Sequence, residues 1–210
     1  MKKLGVLVAL IFVVQIGFAQ YDPEAKVVLD AMSDKYQKVS AFTAVFKQKL
    51  TNESAGLEEI IDGTIQVKDQ MYKLEIAGQQ IFNDGTDIWA YNPDGKEVTV
   101  SANDPEEQEI SLSNIWDLYK SGFKYILMAN NDNGNQVVDL DPLDRSKSYY
   151  KIRMFIKQNY DLHSFLVFES SGNKYHYAIT EFSENNDLTD SDFKFDPSKY
   201  PGVEVIDFRD

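Results

Sequence analysis

Few residues in this chain have the types and spacing that chemistry requires. There are two histidines, His163 and His176, and no cysteine. Both histidines fall in stretches that read as neighbouring strands. A zinc site or a nucleophile–base pair needs further partners at fixed spacing, and no third histidine or any thiol supplies them. The Gly-x-Ser-x-Gly elbow, the phosphate-cradling glycine loops and the His-Glu-x-x-His helix are all absent. Asp139, Asp141 and Asp144, and the run around Asn130, Asp132 and Gly134, offer oxygen donors for calcium. Neither has the loop register that ends in a bidentate glutamate, so both read as solvated turns. Carboxylate pairs spaced for glycoside hydrolysis arise by chance among 34 acidic residues, and nothing selects one. The chain reads as a non-enzyme without a cofactor.

What remains is apolar. The chain carries 13 Phe, 12 Tyr and 2 Trp without a recognisable active site. Most of these rings read as core packing. Trp89, Trp116, Tyr119 and Phe123 stand out as candidates for lining a cavity, three of them within one segment that is apolar around more than one face.

The elements that would position them follow from periodicity. Asp22-Pro23-Glu24 starts a helix: an N-cap acid, proline in the first turn, then an acid near the positive helix end. Val28, Met32, Tyr36 and Val39 recur at helical spacing and carry it to about Val39. The period then becomes two. Phe42, Ala44 and Phe46 alternate with Thr43, Val45 and Lys47. Ile61, Gly63, Ile65 and Val67 alternate with polar residues, as do Tyr72, Leu74 and Ile76. These are strands with one apolar and one wet face. Turn signals at Asn83-Asp84-Gly85 and Asn92-Pro93-Asp94-Gly95 bracket further strands near residues 79–82, 86–91 and 96–101. Such short connections predict an antiparallel meander.

A polar stretch, residues 103–109, interrupts the pattern. A second helical segment is expected after it, with Ser113 as N-cap, Gly122 as a break, and Trp116, Tyr119, Phe123, Ile126 and Leu127 within it. Strands resume near residues 136–140, 149–157, 162–170 and 174–184. The tail from Phe193 to Asp207 adds one or two short strands.

The N-terminus reads as an export signal. Met1-Lys2-Lys3 is basic and Leu4 to Phe18 is uncharged and apolar. Gly17 and Ala19 place small residues three and one before a cut after Ala19. The apolar run is shorter than the roughly 20 residues a bilayer span needs. Residues 1–19 are thus expected to be a signal peptide, and residues 20–210 one exported, soluble domain. Losing Lys2 and Lys3 takes the formal charge from −13 to −15. Such a surface repels phosphate backbones, so nucleic acid is excluded as a partner. Without cysteine the domain can rely on no disulfide, and it cannot take the lipid of a bacterial lipoprotein after its leader. Nothing in it calls for a second copy, and a monomer is expected.

The expected fold is mainly β, an α+β arrangement with a single strongly curved antiparallel sheet. Two helical segments are too few to cover nine to eleven strands. The apolar face must close on itself as a barrel or stay partly open as a cavity, and the latter suggests an apolar ligand.

Several segments also carry a family pattern. They are Lys38 to Gln48 with its two phenylalanines, Gly63-Thr64-Ile65-Gln66-Val67-Lys68, and the hairpin Asn83-Asp84-Gly85-Thr86-Asp87-Ile88-Trp89-Ala90-Tyr91-Asn92-Pro93. The endings Phe193-Lys194-Phe195-Asp196-Pro197 and Gly202-Val203-Glu204-Val205-Ile206-Asp207 complete the set. In this order they resemble the LolA family of periplasmic lipoprotein carriers over nearly the whole mature chain. The resemblance implies an unclosed β-barrel whose concave face is lidded by helices. It also implies a cargo of acylated lipoproteins, taken from an inner-membrane ABC transporter and passed towards an outer-membrane acceptor. On that basis Trp116, Tyr119, Phe123, Ile126 and Leu127 are expected to form the lid. Phe42, Phe46, Ile65, Leu74 and Ile76, with Trp89 and Tyr91, would line the sheet, although Ile88 and Ala90 could equally face in. In one respect the chain departs from the pattern. The best-known branch has an arginine after the lysine of the second strand, where it latches the lid; here Asp69 follows Lys68. Two other readings stay open: a lipid-binding envelope sensor of the same fold, and a secreted hydrolase with a dispersed carboxylate pair.

Overall fold

A computed structural model describes residues 21–104, 110–129 and 133–209. The expected signal peptide, residues 105–109 of the polar stretch, and Asn130 and Asp132 of the calcium-like loop lie outside the described residues. The first helix, α1 (Pro23–Tyr36), begins where its signature predicts. Asp22 accepts from the Glu24 amide at 2.9 Å and the Ala25 amide at 3.4 Å, with Pro23 in the first turn. Ala25, Val28, Leu29, Met32 and Tyr36 bury one stripe. The helix stops at Tyr36, short of Val39, because Ala41 already pairs with Lys68 in the sheet and the chain must turn between them.

Twelve strands follow: β1 (Ala41–Asn52), β2 (Leu57–Lys68), β3 (Met71–Ile76), β4 (Gln79–Asn83), β5 (Asp87–Asn92), β6 (Glu97–Ala102), β7 (Phe123–Leu127), β8 (Gln136–Pro142), β9 (Tyr149–Ile156), β10 (Leu162–Glu169), β11 (Lys174–Glu184) and β12 (Glu204–Asp207). They form one sheet in the order β12-β6-β5-β4-β3-β2-β1-β11-β10-β9-β8-β7. Every neighbour is antiparallel except β12, which runs parallel to β6. Pairing of β1 with β11 joins the two meanders. Register shifts in β1 at Val45/Phe46 and in β10 bend the strands where the sheet curls. The curl is not completed: among the described residues β7 and β12 do not pair with each other, and the barrel stays open.

The second helical segment is not found. Residues 112–117 form turns, Leu118–Lys120 make one 3-10 turn, and Gly122 takes φ 79°. Phe123, Tyr125 and Leu127 then face the core from edge strand β7, while Lys124 and Ile126 face away. The Tyr119–Phe123 and Phe123–Leu127 spacings of four fit a helix and a strand alike, and the glycine followed by Phe-Lys-Tyr-Ile alternation settles it as strand. The tail adds one short strand, β12, within the expected range; ahead of it Phe193 ends a 3-10 turn (Asp190–Phe193) and a second spans Pro197–Lys199.

The inner face of the sheet carries the main core. Phe42, Ala44, Phe46, Ile65 and Val67 pack with Val138, Leu140, Ile152, Met154 and Phe165, beneath the buried stripe of α1. Leu112, Ile115, Trp116 and Tyr119 fill the remaining space under the helix. The outer face is covered on one half by the tail, whose Phe193 packs on Ala41 and Met71 and whose Phe195 packs on Phe82 and Val98.

Candidate functional site

Residues 110–121 form a plug beneath α1, tied to the helix through Trp116, Asp117 and Tyr119, with Leu127 of β7 joined to the helix cap. The Leu127 amide donates to Asp22 Oδ2 at 2.9 Å, the same carboxylate that caps the helix. Tyr119 Oη donates to Asp30 Oδ1 at 2.7 Å, and Ser33 Oγ donates to Asp117. The Tyr36 ring stacks on Trp116 at 3.7 Å between centroids, and its hydroxyl accepts from the Leu162 amide. The electrostatics follow from these contacts. Burial pushes the Tyr36 phenol up to about 12. Burial, then the neighbouring Asp30 carboxylate, raises that of Tyr119. The Leu127 amide holds the Asp22 carboxyl below its ordinary range. Burial opposes ionisation of Asp117, but bonds from Lys120, Ser33 and Gln37 prevail and lower it.

This plug and the core it joins cover the inner face of β1, part of β2 and β7–β11. Beside them, over the inner face of β2–β6, a cavity of about 370 Å3 lies between the sheet and residues 111–113. The register builds its floor. Ile65 pairs with Leu74, Leu74 with Ile81 and Ile81 with Ala90, placing four apolar side chains in one row across the strands. Tyr72 and Ile88 belong to the next row, both opposite Asn83. At the end of β6 the lining turns polar, with Ser101 and Asp104 facing Ser111 and Ser113. Ile65 is 1 % exposed, whereas Ser101 and Asp104 are open to solvent, so the polar groups form the mouth and the apolar row the interior.

Of the residues expected to line the sheet side, Ile65 and Leu74 face this cavity. Phe42 and Phe46 lie on the same face but inside the packed core. Phe42 meets Trp116 edge-on at 6.0 Å, and Phe46 covers Gly63. Ile76 packs against the core one row beyond the cavity floor. Trp89 and Tyr91 point the other way. They pack on the outer face against Phe195, each at 5.7 Å, because their cross-strand partners Phe82, Val98 and Val100 need the tail as cover. Ile88 and Ala90 are the inward pair. Trp116 and Tyr119 belong to the plug, Phe123 is buried near Tyr149, and Leu127 is partly buried at the β7 edge. Ile126, 53 % exposed, faces solvent. Tyr72, Ile81, Ser101 and Asp104 were not singled out by sequence pattern. The signal that could have found them is the tail's Phe193-x-Phe195, which needs an apolar outer face and so sends Trp89 outward.

None of the other chemical candidates lines this cavity. Asp139 is bonded by Arg153 at 2.6 and 2.8 Å and by Lys151 at 3.1 Å. Asp144 accepts from Ser146. His176 has a buried Nε2 without a partner. Lys68 donates to Asp190 of the tail at 2.8 Å, on the outer face, and Asp69 sits in the β2–β3 turn at φ 53°. The position of the expected arginine is therefore a turn, and the bonds of α1 to residues 116–127 are what hold the plug.

The model of a family described as outer membrane lipoprotein carrier protein LolA matches residues 37–196. The chain belongs to the LolA family. It is 27% identical over 197 residues to an outer-membrane lipoprotein carrier protein of Haemophilus influenzae, covering 86% of this chain and 88% of that one. Solved structures share the fold at lower identity. An uncharacterised conserved protein of Thermus thermophilus superposes with a TM-score of 0.58 at 11% identity, over 88% of this chain and 99% of that chain. The Mycobacterium tuberculosis lipoprotein LppX gives 0.50 at 10%, over 80% and 100%. Within this LolA-family chain the matched span runs from the end of α1 to the Phe195 clamp, so it includes the whole cavity floor.

Proposed function

We propose that this chain is a periplasmic carrier, exported by cleavage after Ala19, that binds the acyl chains of lipoproteins and ferries them from the inner membrane towards the outer membrane. Its partners would be acylated lipoproteins, the inner-membrane ABC transporter that releases them, and an outer-membrane acceptor. Family membership supports this reading, and the observation that carries it is the apolar cavity between β2–β6 and residues 111–113.

The energetics explain why a carrier is needed. Each buried methylene contributes roughly 0.8 kcal/mol, so a chain of 14 to 16 carbons resists escape into water by on the order of 10 kcal/mol. A carrier must supply comparable apolar area and still release its load. A plug held by a few polar bonds, which trades its own burial against that of the ligand, narrows the difference.

Membranes holding a newly made acylated lipoprotein, incubated with the mature chain and the transporter, provide the test. A soluble one-to-one complex should appear with the acylated cargo and not with a version lacking its lipid-bearing cysteine. Uptake of a small acyl probe without release of cargo would assign a lipid-binding or sensing role on the same fold. Neither uptake nor release would refute the carrier reading.

A further inference from the structure

One length of strand edge inside the sheet is left bare. β2 pairs with β1 from Leu57, opposite Asn52, to Lys68, opposite Ala41, but it pairs with β3 only from Gly63 to Lys68. After Ile76, opposite Gly63, the chain turns away through Ala77 and Gly78, both at positive φ. On that side of residues 57–62, alternate residues aim N–H and C=O groups outward with no strand beside them among the described residues. We propose that this edge is a docking site for an extended basic segment of a partner protein, which adds as a strand along residues 57–62 and lays a lysine or arginine into the acidic notch at the end of β3. The site lies outside the apolar cavity and does not depend on the carrier reading.

The backbone sets the mode of binding, since a bare edge is a template for strand addition. The side chains set the occupant. Ile60 and Leu57 are 59 % and 43 % exposed, on opposite faces of the strand, and both would be covered by an added strand. Residues 57–62 include Glu58, Glu59 and Asp62 and no cation. Beside them a notch of about 350 Å3 is lined by Asp62, Thr64, Glu75, Gln79 and Gln80. Lys47 meets Asp62 through Oδ1 at 2.6 Å, and Lys73 meets Glu75 through Oε1 at 2.7 Å, so the second oxygen of each carboxylate remains for an incoming cation. Lys49 meets Glu58 at 2.9 Å, while Glu59 has no ion pair among the described residues. Exposed pairs such as these contribute little and yield to a competing cation. Ile60 and Asp62 share the outer face two residues apart, opposite Lys49 and Lys47 of β1. The complementary segment therefore carries an apolar residue and a cation at alternate positions. A second copy of this chain fits poorly, because it would bring the same acids together in a chain of net charge −13.

The test uses the mature chain and a short strand-forming peptide, Thr-Val-Thr-Lys-Thr-Val, whose valines and lysine share one face. Fluorescence anisotropy of the labelled peptide reads binding, and amide hydrogen exchange reads its place. Residues 57–62 are expected to gain protection. Glutamate in place of the peptide's lysine, or N-methylation of its alternate amides, should each weaken binding roughly tenfold. The preference for lysine should shrink in about 1 M salt, where the Debye length is near 3 Å. Asp62→Lys should weaken binding of the lysine peptide roughly tenfold and Ile60→Ser severalfold, with urea midpoints close to wild type. Protection at another strand edge or none at all, equal binding of the lysine and glutamate peptides, full binding of the N-methylated peptide, or unchanged affinity in Asp62→Lys would overturn the proposal. So would protection of residues 57–62 that rises with protein concentration alone, which would assign the edge to a second copy. Each of these results leaves the carrier reading standing, and failure of the wild type to take up an acyl probe would leave this edge untouched.

Discussion

The distal edge of the Phe46 ring reaches over its cross-strand partner Gly63, so that a Cβ at position 63 would stand 2.4 Å from Phe46 Cζ. Phe46 is buried in the packed core of the inner face, against Tyr177, and has little room to withdraw. Gly63→Ala is therefore expected to destabilise the fold by about 1–3 kcal/mol, the usual cost of forcing atoms into a packed core. Urea denaturation would read this as a lower midpoint at unchanged slope. A midpoint equal to wild type would mean that the ring is free to move.

The bonds between α1 and residues 116–127 should set how readily the plug opens. Tyr119→Phe removes the donor to Asp30, whose carboxylate keeps its bond to Lys26. The expected loss is about 1.5–3 kcal/mol, as for a hydrogen bond to a charged group. Amide exchange over residues 111–120 and acyl-probe association should both become faster. Slower or unchanged association would separate the plug from ligand entry.

The two faces of β5 predict opposite outcomes for neighbouring positions. Ala90→Glu places a charge on the cavity floor and should reduce acyl-probe binding by tenfold or more, with little loss of fold. Trp89→Ala strips the packing under Phe195 and should lower stability by roughly 2–3 kcal/mol, below the range for a wholly buried aromatic. Probe binding at saturating folded protein should stay near wild type. The reverse pattern would restore Trp89 to the cavity.

These alternatives show where sequence reading reaches its limit. The capped start of α1, the strands from Phe42 to Ile76 and the turns at Asn83 and Asn92 were legible because each depends on local chemistry or short-range alternation. The direction of Trp89 was not. Both faces of β5 are apolar, and which one meets the cavity depends on a tail about a hundred residues away in sequence. Residues 113–127 misled for a related reason: their aromatic spacing satisfies a helix, and only the β7–β8 pairing makes Phe123 and Tyr125 strand residues. Asp104 carries no periodic signal at all, since its place comes from the end of β6.

Histidine 176 should make stability depend on pH. Burial, then the nearby His163 and Lys49, lowers its pKa below the ordinary 6.5, and its buried Nε2 has no partner. Because the folded value is the lower one, the unfolded chain binds more protons below about pH 6.5. Stability should then fall as pH drops through 6.5 towards the folded value, and be fully present above it. Urea midpoints at pH 7.5 and 5.5 should differ more in wild type than in His176→Gln. Equal differences would show that the imidazole accepts its proton without cost.

Where the acyl chain lies can be read by photo-crosslinking. A lipoprotein cargo bearing a diazirine near the methyl end of one acyl chain would be released to the mature chain, irradiated and mapped by peptide mass spectrometry. Label is expected on the inner-face residues Ile65, Leu74, Ile81 and Ala90, and not on Trp89, Tyr91 or Phe195 of the outer face. Label confined to the outer face, or label that persists with an unattached diazirine, would contradict carriage of the chain inside the curled sheet.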